Sequence, residues 1–355
     1  LLNVYLNSLN RFHRKGLGYL EDFWGTQEEA SRVADERAQR RGLEKHVSRT
    51  CIWGRTLQMK WYGYTTGGYL FTYNGNWFDP RNDLLLMRYC APALAVAKRR
   101  MERFDWVLTH SRIVPSRVVV VEPTIAARIA RPAADAYGAM LALHKQLYGR
   151  GILYEIVPDT YFTTGQAKPE DYDVIILPYA TCLEQGSQRA FAKAVSNGAT
   201  LVCVSPAGLR DDLALESGLL NDTLAKQMAP NEATAFRNTV AAESPPASSG
   251  EFTSGKGTVV TIADTGTLST EANGTRLAEL VLKQATPVAR ADPGKLEVVL
   301  RKTNAEEQFL FVLNPNVDEA TEASILVSVP IARVVDVTSH RLAQVPTTVG
   351  KDLAS

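Results

Sequence analysis

The chain has 355 residues, 45% hydrophobic and 22% charged, with 39 Lys+Arg against 38 Asp+Glu and a formal net charge of +1. That length holds two or three domains with substantial cores. The near-neutral balance excludes a protein drawn to nucleic acid or an anionic membrane by its overall field, and no apolar run is long enough for a spanning helix.

Four cysteines (Cys51, Cys90, Cys182, Cys203) are scattered, with no CxxC or HxxxH pair to hold zinc, so no metal site is expected. They read as buried thiols, which favours a reducing compartment and a cytoplasmic protein, secretion remaining open. Asn221-Asp-Thr223 and Asn273-Gly-Thr275 match the glycosylation sequon, a triplet common by chance. The chain opens Leu-Leu-Asn, without Met or a leader pattern, and so reads as a processed, truncated or partial product.

Residues 1–115 contain all five tryptophans (Trp24, Trp53, Trp61, Trp77, Trp106). The stretch "GYLEDFWGT" (18–26) brings a short apolar run to a carboxylate, Glu21, beside Phe23 and Trp24. Glu21 is either a catalytic carboxylate at a barrel mouth or the solvated end of an edge strand. A helix is expected from Thr26 to about Arg41, opened by the capping-box-like Thr26-Gln-Glu-Glu29. An amphipathic stretch, Thr50 to Tyr64, stops at Thr66-Gly-Gly68, and Tyr69 to Tyr73 reads as a buried strand. The turn-rich Asn74-Gly-Asn-Trp-Phe-Asp-Pro80 precedes a long helix, Leu84 to Phe104. Strand, helix, helix, strand, loop, helix is the order of the last two βα units of a parallel barrel.

Residues 116–290 alternate more cleanly. Arg117 to Val121 is a continuous apolar strand, as expected where helices cover both faces. Further strands are expected at Leu153–Val157, Asp173–Pro178, Thr200–Val204 and Thr258–Ile262. Helices are expected at Ala133–Tyr148, Gln185–Ser196 and 275–283, with a flexible loop at Pro245–Gly250. This is a doubly wound α/β pattern. Residues 291–355 change period: short alternating strands at Leu296–Leu300, Gln308–Leu313, Ser324–Val329 and Arg333–Val337 form a small antiparallel β domain.

The middle segment carries "AYGAMLALHKQLYGRGILYEIVPDT" (136–160), "DYDVIILPYA" (171–180) and "AFAKAVSNGATLVCVSP" (190–206). In order and character it resembles the trimerisation domain of glycoside hydrolase family 42 β-galactosidases, itself similar to class I glutamine amidotransferases. The later "FLFVLNPN" looks like that family's closing β domain, and the first third matches by layout. The resemblance implies an α/β chain: residues 1–115 as the last βα units of a (β/α)8 barrel, 116–290 as a flavodoxin-like domain, 291–355 as a small β domain. It implies a retaining glycoside hydrolase for β-galactoside-type or related bonds, with a carbohydrate substrate and no cofactor, metal, nucleic acid or membrane. Self-association, commonly as a trimer, would run through the α/β domain.

In that layout Glu21 takes the nucleophile's place at the end of the seventh strand, and Tyr73, Asn74 and Trp77 fall at the rim of the sugar subsite. Trp24 and Trp77, beside a carboxylate, suit stacking on sugar C–H faces; the other reading is that they plug the gap between domains. A retaining glycosidase needs two carboxyl groups about 5 Å apart, and nothing before Glu21 supplies the acid/base. The one Asn-Glu pair, Asn231-Glu232, falls in an α/β-domain loop. Since a whole barrel takes about 250 residues, the acid/base is expected from a preceding stretch or a companion chain. The alternative is a non-catalytic scaffold or carbohydrate-binding subunit.

Other candidates read as structural. Cys182 lies near an amidotransferase's nucleophile position, but "PYATCLEQG" lacks the glycine-flanked elbow and no activating His follows. His144 sits on the apolar stripe of its helix and is expected as a satisfied core or interface histidine. Lys98–Arg100 and Arg37–Arg41 read as solvated helix faces, and Asp83 as a helix cap. "VEPTIAARIARP" has no glycine to cradle a phosphate.

Overall fold

A computed structural model of the chain describes residues 18–22, 69–73, 105–129, 134–204, 207–240, 250–262, 271–292, 294, 296–313 and 322–328. The helices expected at 26–41, 50–64 and 84–104 and the strand expected at 333–337 lie outside these residues. At the amino end, β1 (Gly18–Asp22) and β2 (Tyr69–Tyr73) pair in parallel.

Next come α1 (Asp105–His110) and β3 (Ser111–Ile113), then the first strand of the largest sheet, β4 (Val118–Glu122). The chain continues through α2 (Thr124–Ile129), α3 (Ala134–Tyr148), β5 (Glu155–Pro158) and α4 (Asp159–Thr163). It follows with β6 (Val174–Pro178), α5 (Gln185–Ser196), β7 (Thr200–Val204), α6 (Leu219–Ala225) and α7 (Pro230–Val240). The hairpin β8 (Gly250–Ser254) and β9 (Gly257–Ile262) and helix α8 (Glu271–Gln284) complete this unit.

The sheet order is β5-β4-β6-β7-β9-β8, parallel except for β8. This is the doubly wound order 2-1-3-4-5 with one antiparallel edge strand added. The pleat explains why its strands read as unbroken apolar runs. Val119, Val121, Ile175, Leu177, Leu201 and Val259 face one core with α4 to α7, around Phe162, Phe191, Leu220 and Phe236. Their neighbours Val118, Val120, Val174, Ile176, Val202 and Val260 face a second core with α3 and α8, around Leu143, Leu147, Leu277 and Val281. Each of these valines, isoleucines and leucines is therefore claimed by one of two helix layers.

Local chemistry sets the boundaries. Helix α5 stops at Asn197 because Gly198 takes φ +122°, and the Gly198 and Ala199 N–H groups return to Val195 and Ala194 carbonyls. The β8–β9 hairpin turns on Gly255 at φ +61°. The expected helix at 185–196 and strand at 200–204 coincide with α5 and β7. Helices α4, α6 and α7 were not anticipated. The first two are short and α7 is polar on its outer face, so tertiary packing rather than a strong sequence period fixes them.

The remaining strands are β10 (Ala289–Asp292), β11 (Glu297–Thr303), β12 (Gln308–Leu313) and β13 (Ser324–Val327). All pairing among them is antiparallel, as β12-β11-β3 and β10-β13. Strand β3, from before the large sheet, thus joins a sheet formed after it. Arg301 secures that union: its buried guanidinium donates from Nε to Ser111 Oγ (2.8 Å) and from Nη2 to the Ser111 carbonyl (2.8 Å). Burial lowers the Arg301 pKa to about 10, leaving it charged at neutral pH.

Candidate active site

Strands β1 and β2 run the same way, so their carboxyl ends lie at one edge, where parallel barrels place their chemistry. Glu21 is paired in register with Thr72, and Asp22 with Tyr73. Paired residues of a parallel ladder share a face, and successive residues alternate faces. Tyr19, Glu21, Leu70 and Thr72 therefore share one face; Leu20, Asp22, Phe71 and Tyr73 share the other. Of the residues expected at the site, the backbone brings Glu21 and Tyr73 to neighbouring strand ends but on alternate faces. Thr72 is the residue at the level of Glu21, about 4.8 Å away across the ladder. Sequence reasoning missed it, because the phase of one strand against another is fixed by pairing. Trp24, Asn74 and Trp77 lie outside the described residues.

The switch point of the large sheet, between the carboxyl ends of β4 and β6, is where such folds often bind ligands. Beside it, at the carboxyl ends of β4 and β5, the chain's own side chains interlock. Asp159 is fully buried and accepts hydrogen bonds from Thr124 Oγ1, from the Thr160 N–H (2.9 Å) and from the Ile125 N–H (3.4 Å). Desolvation raises its pKa and these donors oppose the rise. Glu122 Oε2 is buried without a hydrogen-bond partner. Among the described residues no group of three or more His, Cys, Asp or Glu is placed to hold a metal ion.

The expected structural readings of Cys182 and His144 agree with their surroundings. Cys182 is buried, beneath loops joined by the Gly208 N–H to Ala180 and the Leu209 N–H to Thr181. Cys203, inside β7, is likewise buried, and desolvation pushes its pKa up to about 12. His144 lies 2.8 Å from the Tyr154 hydroxyl, through Nδ1, and stacks on Tyr148. Burial lowers its pKa to about 4, so it is neutral at pH 7. The Asn221 sequon is blocked in the fold: its side chain is buried and donates to the Ala207 carbonyl (3.1 Å). Among the described residues no helix is long and apolar enough to cross a membrane.

No protein-family profile and no curated protein matches the sequence. Solved structures do. The chain is similar to a beta-galactosidase from Bacillus circulans sp. alkalophilus, at 14% identity and TM-score 0.55, over 87% of this chain and 51% of that one. It is also similar to a catalytic mutant of Gan42B, a GH42 beta-galactosidase from G. stearothermophilus, at 13% identity and TM-score 0.50, over 74% of this chain and 45% of that one. The chain thus spans about half the length of the solved structures it matches. Identities this low carry the fold alone, and in fold the chain resembles part of a GH42 beta-galactosidase.

Proposed function

We propose that the chain is part of a retaining glycoside hydrolase cleaving β-galactoside-type or related bonds, with Glu21 as nucleophile. The observation that carries this is the parallel pairing of β1 and β2, which brings Glu21 to the carboxyl edge of two adjacent strands separated by a long crossover, residues 23–68. Parallel strand pairs joined by a crossover are the units of which parallel barrels are built. The likeness to beta-galactosidase structures supports the same reading. On it, β1 and β2 are the last two strands of a (β/α)8 barrel, and the flavodoxin-like and small β units follow.

The chemistry then runs in two displacements. Glu21 attacks the anomeric carbon as a partner carboxylic acid protonates the leaving oxygen, giving a glycosyl-enzyme. The partner, now a carboxylate, takes a proton from water, which releases the sugar with its configuration retained. That acid/base comes from outside residues 1–355, on a preceding barrel stretch or a companion chain. Trp24 and Trp77 stack on the sugar, and Tyr73 and Asn74 hold its hydroxyls. The carboxyl pair carries the reaction without a cofactor.

The test is Glu21→Ala in the native, complete enzyme, assayed on an aryl β-galactoside with and without azide. Turnover should fall by several orders of magnitude. Azide should then restore activity and form a glycosyl azide of inverted configuration. Rescue in Asp22→Ala instead would move the nucleophile to the other face of β1. Native protein without turnover would leave the scaffold or carbohydrate-binding reading.

A further inference from the structure

The ladder at the amino end gives Glu21 a neighbour. Strands β1 and β2 pair from Gly18 with Tyr69 to Asp22 with Tyr73, so Glu21 stands level with Thr72. Paired residues share a face, and the face of Glu21 carries two levels. Tyr19 and Leu70 form the first, about 7 Å back along the strands. Glu21 and Thr72 form the last, with about 4.8 Å between their backbones. Among the described residues of these strands, the other titratable groups are Tyr19 on this face and Asp22, Tyr69 and Tyr73 on the opposite one. Thr72 is therefore the hydroxyl-bearing residue that shares both level and face with the carboxylate.

A carboxylate that attacks an anomeric carbon must be ionised and held in one orientation. In a parallel ladder the backbone N–H groups serve the pairing itself, so a donor for that carboxylate has to come from a side chain. A hydroxyl that donates to a carboxylate favours its ionised form. Threonine suits the task because its β-branch leaves few rotamers, and ordering its hydroxyl costs little. Leu70, the other β2 residue on this face, has no donor to offer.

We infer that Thr72 is the positioning residue for Glu21, keeping its carboxylate ionised and oriented through the level and face that the two share. This rests on the reading of Glu21 as nucleophile. Thr72 touches no reacting atom and transfers no proton; it acts through Glu21. Removing its hydroxyl disfavours the ionised carboxylate, so the pKa of Glu21 rises and the acidic limb of the pH profile moves to higher pH.

The test is the pH dependence of kcat/KM on an aryl β-galactoside, in the native, complete enzyme and in Thr72→Val, Thr72→Ser and Tyr73→Phe, each checked for unchanged melting. Glu21→Ala with azide runs beside them. Thr72→Val keeps the branched shape and loses the hydroxyl. It should lower kcat about tenfold or more with little change in KM, and move the acidic limb up by about one pH unit. Thr72→Ser should regain most of the lost kcat and return the limb. Tyr73→Phe, on the opposite face, should leave the limb in place. A limb unmoved in Thr72→Val, a limb that moves in Tyr73→Phe instead, or a serine variant as impaired as the valine would overturn the inference. Azide rescue of Glu21→Ala alongside such a result would keep the nucleophile and remove the role of Thr72 alone. Failure of that rescue would overturn the nucleophile, and this inference with it.

Discussion

Gln188 offers a strong test of how the loop at residues 209–217, after β7, is braced. It is fully buried on α5, with every polar atom used. Its Nε2 donates to the Leu183 carbonyl (2.8 Å) and to the Arg210 carbonyl (3.3 Å). Its Oε1 accepts from the Leu220 N–H (3.1 Å) and from Ser217 Oγ (3.2 Å). Gln188→Met keeps length and volume and removes all four bonds. The Arg210 carbonyl retains the Leu183 N–H and the partly exposed Ser217 hydroxyl can turn to water. That leaves the Leu220 N–H and the Leu183 carbonyl as buried orphans, at about 1–3 kcal/mol each. A loss of about 3 kcal/mol is expected, read from urea unfolding followed by circular dichroism. Gln188→Glu keeps the acceptor but sets a carboxylate against two carbonyls, so its deficit should grow as pH rises. A loss below about 1 kcal/mol for Gln188→Met would refute the bracing, because two buried orphans cannot cost so little.

His144 should make stability pH-dependent. Its folded pKa of about 4 lies below the ordinary 6.5, so the unfolded chain takes up the proton first as pH falls. Its contribution is intact above about pH 6.5 and is lost toward pH 4; allowing for partial exposure, wild type should lose about 1–2 kcal/mol more than His144→Phe between pH 7 and 4.5. Parallel losses would show that burial does not hold the imidazole neutral. Gly257→Ala should destabilise by about 3 kcal/mol, since the added Cβ would sit 2.3 Å from the carbonyl oxygens of Val195 and Ala199; a melting temperature near the parent's would contradict that contact. Cys182 and Cys203 should resist iodoacetamide at pH 8 until the chain is unfolded, and rapid native labelling of either would overturn its buried placement.

The large sheet was legible because its strands are covered on both sides, which writes Val118 to Val121 and Val174 to Leu177 as unbroken apolar runs. Helix α5 was legible up to its stop at Asn197-Gly198. Helices α4, α6 and α7 were not, and neither were three further features. β3 is only Ser111-Arg-Ile113, too short to show a period, and its partner lies far along the chain. Residues 208–218 read as a polar loop, "GLRDDLALESG"; only the fold shows that Asp211 is buried and accepts from the Leu213 and Leu215 N–H groups. At the candidate site the sequence placed an acid at a strand end, but the match of Glu21 with Thr72 rather than Tyr73 depends on ladder phase, which neither strand encodes alone.

The central claim is that Glu21 forms a covalent bond with a sugar. Treating the native protein with an activated 2-deoxy-2-fluoro-β-galactoside, then mapping the labelled peptide by mass spectrometry while recording the intact chain masses, addresses it directly. The account predicts one label per active site, on Glu21 within "GYLEDFWGT". A label on another carboxylate, or none on protein that turns over the unfluorinated substrate, would contradict it.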